Sequence, residues 1–163
     1  MLNFKQNQDR KIFDLLKKRK VGSKFVLHAF SQSMWPMIDK GDEIEGVKVE
    51  MDAVRTGDII IFYSPKLRKI VVHRIVKFNK NSSQWTLVTR GDNNFQSDGE
   101  KVLAKDLLGK VSTIRKNNIV IRLERGSHPL LGKRNTLLGK IYRKLFFYFF
   151  DKPGFYRLVQ KFF

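Results

Sequence analysis

The sequence predicts a mainly β protein: a β-barrel or sandwich core with a short N-terminal helix and a C-terminal helical segment. Three observations lead there. Between residues 24 and 123, short apolar runs of strand length alternate with turn-forming residues. Ahead of them lies a basic stretch of helical periodicity that stops at Gly22, and after Gly126 the aromatic residues gather in clusters.

Taken in order, residues 8–20 suit a basic helix with Ile12, Phe13, Leu15 and Leu16 on its apolar side, broken by Val21-Gly22-Ser23. Strands are expected at 24–30, 43–49, 58–63, 69–78, 85–89, 107–115 and 118–123. Lys40-Gly41-Asp42, Thr56-Gly57-Asp58, residues 79–83 and Lys116-Asn117-Asn118 supply the turns between them. Many short strands without intervening helices favour a sandwich or barrel over βαβ units. Beyond them, Phe146-Phe147-Tyr148-Phe149-Phe150 and Phe162-Phe163 alternate with basic residues, and Pro153-Gly154 divides the segment into two expected helices. The chain therefore reads as a basic helix (1–22), a β-rich domain (23–125) and a basic aromatic tail (126–163).

Composition narrows the chemistry. With no cysteine, disulfides and thiol nucleophiles are excluded. His28, His73 and His128 are widely separated and no His-Glu-x-x-His pattern occurs, so neither a metal site nor a cofactor is expected. A formal net charge of +18 on 163 residues implies affinity for polyanions, either nucleic acid or anionic lipid. The tail suits an interfacial helix, with rings at the acyl boundary and lysine and arginine towards anionic headgroups; a helical cap on the β core is the competing reading. Residues 1–20 carry no secretory signal, and no window approaches the roughly 20 apolar residues of a spanning helix. The expected location is cytoplasmic or peripheral to a membrane.

Three short polar interruptions carry the chemistry: Ser31-Gln32-Ser33-Met34-Trp35-Pro36, Val72-His73-Arg74 and Gly91-Asp92-Asn93-Asn94. Together they hold a serine, a histidine and carboxylates, the parts of a nucleophile with its base and orienting group. Pro36 restricts Trp35 to non-helical backbone, so the chain turns just past Ser33. A serine at such a turn can present its hydroxyl and its N–H to one point. Each residue also has a plainer role: Ser33 in a serine-rich turn, His73 as a core-edge histidine, Asp98 in an exposed Asx turn, Asp92 as a loop brace. By period two His73 shares a strand face with Val71 and Ile75, and with Lys69 and Lys77, the competing lysine bases.

The order of these segments resembles that of the type I signal peptidase family, the S24/S26 class of serine peptidases, over residues 25–109. Ser31, Ser33, Met34 and Pro36 match its Ser-x-Ser-Met-x-Pro box. Gly57-Asp58-Ile59-Ile60-Ile61-Phe62 resembles its Gly-Asp-apolar strand. Val72-His73-Arg74-Ile75-Val76 is similar to the histidine-bearing box of the archaeal and endoplasmic-reticulum branch, and Gly91-Asp92-Asn93-Asn94 with Asp98 to its acidic box.

The resemblance implies a serine endopeptidase with Ser33 as nucleophile, His73 as general base and Asp98 as orienting carboxylate. Ser31 and the Ser33 N–H would form the oxyanion hole, with Asp92 and Arg74 as supporting residues. The implied substrate is a precursor or leader peptide with small residues before the cleaved bond. Gln32 stands where the family usually has glycine, and the usual N-terminal spanning helix is not expected here. Two other functions stay open: a nucleic-acid-binding domain of the self-cleaving repressor type, and an inactive adaptor at a membrane surface. About 20 residues ahead of the β region are too few for the usual helical DNA reader.

Overall fold

The computed structural model describes residues 2–80, 84–117 and 119–123; the expected tail at 126–163 lies outside them. The mainly β expectation holds. A helix, α1 (Leu2–Lys17), precedes strands β1 (Lys24–His28), β2 (Glu43–Val47), β3 (Ile59–Ser64), β4 (Lys69–Lys80), β5 (Trp85–Arg90), β6 (Lys101–Leu103), β7 (Leu107–Lys116) and β8 (Ile119–Arg122). They form one antiparallel sheet in the order β1-β2-β7-β3-β4-β5-β6, with β8 against β7.

Strand β3 shows why the sheet has a core on both faces. Ile59–Ser64 is buried throughout, so its alternate side chains must serve two layers. Ile59, Ile61 and Tyr63 pack with Phe25, Ile44, Val111, Ile114 and Phe13 of α1. Ile60 and Phe62 pack with Val71, Ile75, Leu87, Val102 and Leu107. Removing most of one such side chain, as in Ile61→Ala, is expected to cost about 2–5 kcal/mol. Strand β7 joins the two halves of the sheet, pairing with β2 through Lys110–Arg115, with β3 through Leu107–Lys110 and with β8 through Thr113–Lys116. Register shifts at Glu45/Gly46, Ile61/Phe62 and Ile75/Lys77 add local bends.

Several boundaries differ from the sequence reading, each for a local reason. The helix starts earlier and ends at Lys17, not Lys20, because the chain turns through Arg19 N–H to Leu16 O (3.1 Å) and Ser23 N–H to Lys20 O (3.1 Å). Gly22 then takes φ +85°, a left-handed value that glycine adopts without strain. Strand β1 stops at His28, since Ala29 N–H and Ala29 O are engaged by Asp42 O (2.9 Å) and Gly41 N–H (2.8 Å), which close the next loop. A short 3₁₀ turn at Met51–Ala53 and the three-residue β6 were not foreseen. No helix among the described residues is long and apolar enough to cross a membrane.

Candidate active site

Ser33 lies on the connection 29–42 between β1 and β2. Met34 and Ile38 of that connection are buried with Ile44, Ile59, Ile61 and Ile114, which seats the loop on the sheet. Its far end is braced by Asp42, whose Oδ2 accepts from Asp39 N–H (2.7 Å) and pairs with the buried Lys116 ammonium (2.9 Å). The serine thus projects from a loop fixed at both ends. Its side chain is not left to solvent.

His73 sits on β4 opposite Ile60 of β3, on the face of Val71 and Ile75, and is buried. Its Nε2 lies 3.0 Å from Ser33 Oγ and its Nδ1 lies 2.6 Å from Asp98 Oδ2. Asp98 belongs to no strand; it lies on the connection between β5 and β6. Thr89, the last residue but one of β5, holds it twice. Asp98 N–H donates to Thr89 O (2.8 Å), and Thr89 Oγ1 donates to Asp98 Oδ2 (2.6 Å). With Nδ1 donating to the carboxylate, Nε2 is left to accept the serine proton. Ser31 Oγ is 3.2 Å from Ser33 Oγ, which brings a second hydroxyl to the same point.

Asp92 is placed elsewhere. Arg74, the neighbour of His73 on β4, points to the other face and grips Asp92 with both arms, Nε–Oδ1 2.8 Å and Nη2–Oδ2 2.7 Å. Arg74 Nη1 also donates to Gly57 O (2.8 Å). Both side chains of the pair are almost fully buried, at 3% and 8% exposure. The structure therefore brings Asp98, and not Asp92, to the imidazole. Next to Asp92, Asn93 N–H donates to Ser33 O (2.8 Å) and Asn93 Nδ2 to Gln32 O (3.2 Å). A side chain at Gly91 would meet Ser33 O at 2.4 Å, so only glycine lets this loop approach the serine so closely. Lys69 and Lys77 are exposed, and the hydrogen bonds to Ser33 Oγ among the described residues come from His73 and Ser31.

The backbone at Gln32 needs no glycine. The described non-glycine residues with positive φ are Arg68 and Asn117, and Gln32 reaches Asp39 Oδ1 with its side-chain amide (3.2 Å). Sequence reasoning missed Thr89 and the grip of Asn93. A threonine in a strand is explained by β propensity alone, so nothing marked it. Among the described residues no group of three or more His, Asp or Glu is gathered as a metal site would need. Away from the serine, burial pushes the Asp106 carboxyl above its ordinary value, against the pull of Lys105. Burial also lowers Lys48, helped by the nearby Lys17.

No family model matches the chain. Over 124 residues it is 27% identical to the signal peptidase complex catalytic subunit sec11 of Schizosaccharomyces pombe (strain 972 / ATCC 24843), covering 66% of this chain and 63% of the length of that protein. The chain is distantly similar to that subunit and spans less than two thirds of its length.

Proposed function

We propose that this chain is a serine endopeptidase that cleaves a precursor or leader peptide. The observation that carries this is the continuous hydrogen-bonded line from Ser33 Oγ through His73 to Asp98, with links of 3.0 and 2.6 Å. Ser33 Oγ attacks the peptide carbonyl while its proton passes to His73 Nε2, and Asp98 stabilises the imidazolium that forms. The Ser33 N–H and the Ser31 hydroxyl receive the charge that develops on the carbonyl oxygen. His73 then returns its proton to the leaving amine, leaving an acyl group on Ser33. A water molecule, deprotonated by the same imidazole, hydrolyses that ester and restores the serine.

Cleavage of a peptide carrying an Ala-Xaa-Ala site, the small-residue pattern of leader peptides, tests the reading. Ser33→Ala and His73→Ala are each expected to abolish measurable turnover while the fold persists. Turnover by both variants at the wild-type rate would sink it.

The charge favours a contact beyond the substrate: with a formal +18, the chain suits an anionic membrane surface, and the basic aromatic residues 126–163 are the proposed point of attachment. Co-sedimentation with phosphatidylserine vesicles that vanishes at high salt is the expected result. Retention on DNA but not on vesicles would instead favour the nucleic-acid reading.

A further inference from the structure

Asp98 has no strand to hold it, yet its carboxylate must face His73 Nδ1 at a fixed angle. Its flanking residues Phe95, Gln96 and Ser97 are exposed, so packing in that loop does little to orient it. Thr89, by contrast, is fully buried. The sheet explains how it reaches the site. Thr89 is the register partner of Ile75, and directly paired residues share a face. Ile75 and His73 are two apart on β4, so Thr89 lies on the imidazole's face as its diagonal neighbour.

We propose that Thr89 is the positioning residue for Asp98 in the reaction, acting through the carboxylate and not on the substrate. This rests on the proteolytic reading above. The hydroxyl and the imidazole Nδ1 converge on the same oxygen, Oδ2, both at 2.6 Å. A side chain free to rotate about its last bond would otherwise present either oxygen at many angles. With Oδ2 held between two donors, rotation breaks two charge-assisted hydrogen bonds at once. The reciprocal bond from Asp98 N–H to Thr89 O (2.8 Å) fixes the backbone from which the carboxylate hangs. A buried threonine whose only task was to satisfy its hydroxyl needs nothing more than a strand carbonyl, and this one is aimed at the group that orients the base.

The test uses the full chain, the Ala-Xaa-Ala peptide and four variants. Thr89→Val keeps shape and removes the donor; it is expected to lower kcat between about tenfold and a hundredfold with KM unchanged. Thr89→Ser restores the donor and is expected to return kcat to within about threefold of wild type. In an Asp98→Asn background, Thr89→Val should cost less than about twofold, because the group through which it acts is gone. Proton NMR supplies a readout independent of turnover. The short Nδ1–H to carboxylate bond gives a far-downfield imidazole proton, expected in wild type and Thr89→Ser and lost in Thr89→Val.

A Thr89→Val chain within twofold of wild type would overturn the proposal. So would a Thr89→Ser chain as impaired as Thr89→Val, or a full Thr89→Val effect in the Asp98→Asn background. If Thr89→Val does not fold, Thr89→Ala is read by the same measures. If Ser33→Ala and His73→Ala both cleave as fast as wild type, the proteolytic reading fails. The NMR comparison then decides the Thr89 assignment alone: retention of the downfield proton in Thr89→Val rejects it, and its selective loss sustains the positioning of Asp98.

Discussion

Two carboxylates six residues apart, Asp92 and Asp98, lie on one connection and meet adjacent residues of β4, yet they are built for opposite purposes. Asp92 is sealed against Arg74 in a bidentate, nearly solvent-free pair. Asp98 is 22% exposed and shares one oxygen between an imidazole and a hydroxyl. The pleat of β4 sends His73 and Arg74 to opposite faces and sorts the carboxylates with them. A guanidinium stays charged at every working pH, so its partner can only brace; an imidazole gains and loses a proton, so its partner can serve chemistry. Closeness to a catalytic motif in sequence does not decide which role a carboxylate takes. The residue it meets does.

That contrast can be broken most severely at Asp98. Asp98→Asn is expected to lower kcat about 10³–10⁴-fold, since an amide no longer holds the imidazole in the required tautomer, while thermal melting changes little. Steady-state cleavage with a parallel melt checks this, and a loss below tenfold would erase the distinction. At Asp92 the order reverses. Asp92→Ala strands a buried guanidinium and is expected to cost about 3–5 kcal/mol of stability, read from urea unfolding at constant slope. The fraction that remains folded should keep kcat within about tenfold.

Gly91→Ala probes the loop that the two carboxylates share. Its new methyl group would lie 2.4 Å from Ser33 O, so the loop must back away from the serine. A loss of about 1–3 kcal/mol and a fall in kcat larger than that in Asp92→Ala are expected. Unchanged kinetics would show that the close approach is not needed.

The smallest effect is expected at Asp106, a third carboxylate whose burial raises its proton affinity. The folded chain keeps this proton at pH values where the unfolded chain has released it. Its contribution to stability is thus full below the ordinary aspartate range and is lost as pH rises through the folded value. Asp106→Asn should flatten that part of the stability-against-pH curve, measured by denaturant titration. A curve that keeps its slope would remove Asp106 from the account.

Much of this was readable before any coordinates. Alternation and turn residues marked seven of the eight strands, because buried faces impose period two wherever a strand is long enough to show it. Lys101–Leu103 is too short for that, and its place is set by pairing with β5 and by the burial of Val102 in the core. Ser33, His73 and Asp98 were singled out through the order of their motifs, with Asp98 favoured over Asp92 beside the histidine, and the structure brings these three side chains together. What it could not give was the third dimension of β5. Thr89 and Val88 look equally at home in a strand, and only the register with β4 turns one of them towards the carboxylate.

The place of β7 carries a consequence for the newly made chain. Strand β2, which with β1 flanks the serine loop, has β7 as its other neighbour, and residues 107–116 emerge long after Ser33. Until they do, the sheet has no hydrogen-bonded link between the β1–β2 hairpin and β3. A ribosome-bound chain that stops short of β7 therefore carries Ser33 and His73 on parts of the sheet not yet joined by strand pairing. The sheet is thus completed late, because the strand that joins its halves spans residues 107–116 and makes its pairings over long sequence separations.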